Sequence, residues 1–155
     1  MQKYRKMLSN CDARQIVGLM RLIETQSKET LVNWAVNYAE GHFLPIYLKQ
    51  YPKDERPRLA LEYARKWLNK DVKLPEAKSR ILSCHQAAAE AEAAPAAQAA
   101  TRAIGQAAST IHSASHSLGL ALYGGVAAAY DQLGMDAPWA DQEAFALKKK
   151  KKMLA

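Results

Sequence analysis

At 155 residues the chain has the length of one domain, and folding at that size buries about 70% of the surface the unfolded chain exposes, so one core suffices. Hydrophobic residues make up 49%, but alanine supplies much of that share and the β-branched residues that favour strands are scarce, which argues against a sheet-based fold. The formal charge of +7 sits mainly in one run: five of the 22 basic residues are Lys148 to Lys152, and the rest of the chain nets +2, too little for a distributed nucleic-acid-binding surface.

The opening stretch, MQKYRKMLSNCDARQ, is polar and basic with no apolar run, so neither a signal peptide nor a membrane-spanning helix is expected and the cytoplasm is the expected compartment. Cys11 and Cys84 lie far apart without metal-ligand or CxxC spacing, as suits reduced thiols.

In chain order, Asp12 is placed to cap a first periodic segment carrying Ile16, Leu19, Met20 and Ile23. Ser27 caps the next helix, with Thr30 where a Glu or Gln is usual, and Leu31, Trp34, Ala35, Tyr38 and Ala39 form its apolar face. Gly41 is expected to end it. Pro45 opens a further helical piece that Pro52 closes.

Asp54-Glu55-Arg56-Pro57-Arg58 is the sharpest punctuation in the chain, because acidic groups precede a proline suited to the first turn of a helix. Leu59, Ala60, Tyr63, Ala64, Trp67 and Leu68 follow at helical spacing, with i,i+4 ion pairs expected between Arg58 and Glu62 and between Glu62 and Lys66. Pro75 starts the next helix. From Ala87 to Ala129, 18 of 43 residues are alanine, which lets helix backbones approach closely; an AAPAAQAA stretch also resembles a low-complexity linker, but Ile104, Ile111, Leu118, Leu120 and Leu122 favour packed helices. Gly124-Gly125 marks a kink or a close contact, Gly134 a C-cap, and a last short helix runs from about Asp136 to about Leu147. The expectation is an all-α protein, a single compact bundle of about six to eight helices over 1–147. Residues 148–155 are expected to form a basic, mobile tail.

Three groups of residues invite a chemical reading. His112 and His116 are four apart, so a continuous helix would put both rings on one face, half of a metal site. A third ligand would have to come from His85, Cys84, Asp131 or His42; the competing reading is a pair of packed, hydrogen-bonded rings. The serines around that pair lack a nucleophile elbow, and Cys84 and His85, as helix neighbours, do not face each other, so no catalytic residue is assigned. Asp54, Arg56 and Arg58 either receive an anion or brace their own loop.

Taken in order, Trp34-Ala35, Tyr38-Ala39-Glu40, Leu44-Pro45, Tyr51-Pro52, Asp54-x-Arg56-Pro57-Arg58, Ala60, Trp67, Cys84-His85-x-Ala87-Ala88, and His112-x-x-x-His116 before Gly119 and Tyr123 resemble the bacterial immunity-protein family, the immunity-like group associated with polymorphic toxins. The resemblance covers residues 31–130 and lies in the joint order of the elements. It implies a helical, non-enzymatic protein without a cofactor that binds and neutralises a cognate toxin, with Asp54, Arg56, Arg58, His85, His112 and His116 as its marked positions. From the residues themselves, no specific nucleic acid is expected because the lysine run has no interleaved aromatics, no membrane insertion is expected because there is no long apolar run, and the Ala-rich face leaves a homo-oligomer open. The alternative is a helical metal-binding protein or small metal-dependent enzyme using His112 and His116. The lysine run is not explained by the resemblance.

Overall fold

In the computed structural model, which describes residues 13–154, the chain is all helix and turn. Cys11 and the expected cap Asp12 lie outside the described residues. Eight helices follow in order among them: α1 (Ala13–Glu24), α2 (Lys28–His42), α3 (Leu44–Gln50), α4 (Arg56–Leu68), α5 (Leu74–Glu90), α6 (Pro95–Ser109), α7 (His116–Leu133) and α8 (Trp139–Leu154).

The starts of these helices follow local chemistry. Ser27 Oγ accepts from the Thr30 backbone N–H at 3.1 Å, removing one of the four donors left unpaired at the head of α2. Proline stands in the first turn of α3, α4, α5 and α6, where the missing N–H has no partner to lose. Pro95 therefore starts a helix, and the alanine-rich stretch behind it is packed structure. Gly41 does not end α2, which runs on to His42; Phe43 keeps an α-helical backbone and passes the chain almost directly into α3. Gly134, at φ 80°, ends α7.

α6 is the hub, packed against α2, α3, α4, α5 and α7. Eleven of its 15 residues are buried, and all but Ile104, Gln98 and Thr101 of those eleven are Ala, Gly or Ser. A helix with such short side chains lets five others come near its axis, while the larger groups that fill the core arrive from the neighbours: Phe43, Tyr47, Leu61 and Leu120 are all buried. Among the buried polar groups of α6, Gln98 Nε2 donates to the Ala88 carbonyl at 2.8 Å and Ser109 Oγ to that of Gly105 at 2.7 Å, while Thr101 Oγ1 is buried without a hydrogen-bond partner among the described residues.

α7 repeats the device on its other side. It shows no break at Gly124-Gly125; Gly124 instead lies against the Phe43 ring and Met153, and a Cβ there would overlap that ring. This close contact seats the α2–α3 corner and the end of α8 on the same helix.

The lysine run departs from expectation. Lys148 to Lys152 continue α8 through to Leu154, so the boundary expected after Leu147 falls within a helix. Gln142, Ala146, Lys150 and Met153 are buried and recur at four, four and three residues, which makes them one inward face. Helical spacing thus turns Lys150 fully inward, Lys149 lies half-buried at the edge of that face, and Lys148 and Lys152 stay in solvent. Mutual repulsion is relieved because consecutive side chains point about 100° apart. No helix among the described residues is long and apolar enough to cross a membrane.

Candidate functional site

Five of the six marked positions fall into two polar clusters, and Arg58 belongs to neither. The first lies where α3, the α3–α4 loop and α5 meet. Asp54 is its centre: the Arg56 backbone N–H donates to Asp54 Oδ1 at 3.1 Å, and the Arg56 guanidinium donates through Nη2 to Oδ2 at 2.8 Å. The Tyr47 hydroxyl, on a side chain only 1% exposed, also donates to Oδ2, at 2.6 Å. Arg56 Nη1 reaches on to Glu90 at the end of α5. These bonds hold the Asp54 carboxyl at about 2, with the Arg56 guanidinium as the largest cause and the Tyr47 hydroxyl adding to it against the opposing effect of burial. The same contacts raise the Arg56 pKa, and burial followed by the bond to Asp54 raises that of Tyr47. Every strong group here has a partner inside the protein. Of the two roles open to Asp54 and Arg56, the geometry is that of a brace.

Arg58 stands apart from this network. It is exposed and pairs with Glu55, so the expected Arg58–Glu62 pair does not form, while Glu62 and Lys66 lie 3.7 Å apart as expected.

The second cluster lies where α5, α6 and the start of α7 come together. His112 is not on a helix with His116. It lies in the turn between α6 and α7, and His116 is the first residue of α7. The two rings nevertheless meet edge to face, with centroids 5.0 Å apart, because residues 110–115 fold into successive tight turns. His116 Nδ1 lies 2.8 Å from Gln106 Oε1 on α6, and since an amide oxygen only accepts, Nδ1 carries the proton. His85 lies across α6: a Cβ added to Gly105 would come within 2.7 Å of His85 Cε1, so that glycine is the gap the ring occupies. In the same way Gly119 makes room for the Gln106 side chain.

Burial lowers the pKa of all three imidazoles; at His85 and at His112 the charge of His116 adds to the effect, and at His112 Lys78, Lys28 and His85 also contribute. The three histidines thus converge electrostatically, but among the described residues no three of His, Cys, Asp and Glu are gathered so as to hold a metal ion. His42 and Asp131, weighed above as third ligands, line a different cleft, and Cys84 faces away: it is fully buried, its Sγ donates to the Thr101 carbonyl at 3.6 Å, and burial pushes its pKa up to about 12. Such a thiol carries no nucleophilic anion near neutrality.

The chain also matches the model of a known family. The family model described as "Imm-5 like putative immunity protein" covers residues 21–151. The chain belongs to that family. The match runs from α1 into the last turns of α8 and takes in Lys148 to Lys151, leaving Lys152 just beyond it. No curated protein and no solved structure matches this immunity-family chain.

Tyr47, Glu90 and Gln106 complete the two clusters and were not legible as site residues. Tyr47 reads as core, and Glu90 and Gln106 stand 34 and 10 residues from their partners, outside any local pattern.

Proposed function

We propose that this chain binds and neutralises a cognate bacterial protein toxin in the cytoplasm of the cell that makes the toxin, without catalysis of its own. The observation that carries the reading is membership of an immunity family over residues 21–151. Within it, Asp54 and Arg56 set the angle between α3, α4 and α5, while the exposed Arg58 and His112 and the half-buried His116 and His85 supply contact groups for the partner. Apart from the lysine run the chain is close to neutral, so the matching face of the toxin is acidic or apolar, unlike the basic cleft of a nuclease.

The test is capture with the full-length tagged chain from cells that encode it, followed by co-expression of the captured toxin in a sensitive host. Restored growth with the wild-type chain is the expected result. Capture of no toxic protein, or no protection by the chain, rejects the reading.

A further inference from the structure

The lysine run lies against a cleft of about 320 Å³ between the α2–α3 corner and the α7–α8 pair. Its charged groups are distributed unevenly. On one lip Lys49 Nζ pairs with Asp131 Oδ1 at 2.8 Å, and Asp131 Oδ2 accepts from Gln132 Nε2 at 3.1 Å, so the carboxylate in the cleft has both oxygens occupied. On the other lip Lys149 Nζ donates to His42 Nδ1 at 3.2 Å and stands 5.5 Å over the Tyr38 ring. Lys149 forms no ion pair with any carboxylate among the described residues.

This is an unusual setting for an ammonium. A half-buried cation gains most from a carboxylate, and here it has a neutral imidazole and an aromatic face. The imidazole is held for that role: His42 stacks on Tyr38 with centroids 4.0 Å apart and planes within 13°. Burial, followed by the Lys149 charge, lowers the His42 pKa, and burial lowers that of Lys149. Lys152 adds a second, exposed cation at the rim. Between the charged lips the walls are Pro45, Ile46, Ala128 and Phe145, an apolar passage suited to methylene groups.

We propose that this cleft is a carboxylate-recognition site that receives one acidic side chain of the protein partner, with Lys149 as its paired cation. The chemistry selects a monoanion on an aliphatic stem. Lys149 is the half-buried cation of the cleft that has no carboxylate opposite it, the exposed Lys152 is screened by solvent, the walls are apolar, and the fixed Asp131 charge opposes a doubly charged phosphate. The inference deepens the immunity reading above and rests on it for the identity of the partner, whereas the anion preference of the cleft stands independently. It also gives a role to the lysine run: α8 winds it so that Lys149 points at His42 while Lys148 does not.

The experiment uses the full-length chain and a short, end-blocked peptide bearing a single glutamate, with the His42 imidazole resonances as the readout. The expected result is a saturable shift of the His42 resonances with the glutamate peptide and none with its glutamine counterpart. Lys149→Met, which keeps the aliphatic stem, is expected to weaken binding about tenfold, the scale for truncating one partner of a partly desolvated charge pair. Lys152→Gln, at an exposed position, weakens it about twofold and guards against a folding defect in the first variant. Equal binding of the glutamine peptide, tighter binding of inorganic phosphate, or an unchanged affinity in Lys149→Met overturns the proposal. With the captured toxin, Lys149→Met is compared with Lys148→Met, whose side chain is in solvent; equal loss or no loss in both overturns the cleft while leaving neutralisation standing. Peptide binding without any toxin captured rejects the immunity reading and leaves the anion preference of the cleft in place.

Discussion

The Asp54 brace and the histidine corner are both polar clusters wedged between helices, and they differ in whether their bonding is closed. At Asp54 one carboxylate takes the Tyr47 hydroxyl, the Arg56 backbone and the Arg56 guanidinium, and the guanidinium passes on to Glu90. A partner arriving there would have to break bonds before making any. At the histidine corner His116 is tied to Gln106, while His112 meets its neighbour only through ring contact and is exposed. The closed cluster fixes an inter-helix angle, and the open one has surface to offer. Within the set of residues singled out in the sequence, bonding geometry therefore separates a closed cluster from an open one.

The brace is the place to break the molecule hardest. Asp54→Ala strands a buried phenol and a guanidinium, and is expected to lower unfolding stability by about 3 kcal/mol, read by urea denaturation. Asp54→Asn, which keeps an acceptor for Tyr47, is expected to cost less. Gly124→Ala probes the adjoining corner, where the new methyl meets the Phe43 ring in a packed core; a loss of about 2 kcal/mol is expected, beyond the gain in helix propensity.

Acid separates the two clusters by pH. The Asp54 carboxyl is lowered from an ordinary 3.8 to about 2, so its contribution is complete above pH 4 and disappears as pH falls toward 2. The histidines are lowered from 6.5, so their neutral packing contributes fully above that pH and is eroded below it, where the unfolded chain binds more protons than the folded one. Denaturation midpoints followed from pH 8 to pH 2 are expected to show two declines. Asp54→Asn removes the acidic one alone, and His116→Gln reduces the one below pH 6.5.

Smaller effects sharpen the contrast. Gly119→Ala pushes Gln106 off His116, so the Nδ1–H resonance of His116 should shift or vanish while stability changes by less than about 1 kcal/mol. His112→Ala, at an exposed turn, is expected to change stability by no more than about 0.5 kcal/mol. Its effect should appear in toxin affinity; a variant with full affinity and full protection would move the contact surface away from the histidine corner.

Much of the fold was legible in the sequence because helix starts are local. Ser27, Pro45, Pro57 and Pro75 each act within one turn, and apolar spacing marked the buried faces of α2 and α4 without reference to any neighbour. Two misreadings have a common cause. The spacing of four between His112 and His116 suggests one helix, yet it spans a turn. Lys148 to Lys152 read as a tail because like charges repel, yet Gln142, Ala146 and Met153 had already set the face that α8 turns toward α7.

What the sequence by itself determined is the set of helices and the family, since capping, proline placement and the order of motifs are carried by neighbouring residues. The partners were decided by tertiary structure alone. Arg56 finds Glu90 across 34 residues and Lys149 finds His42 across 107, meetings that no periodic pattern encodes. They arise because α6 and α7, built of small residues, let their neighbours approach closely enough for distant side chains to touch.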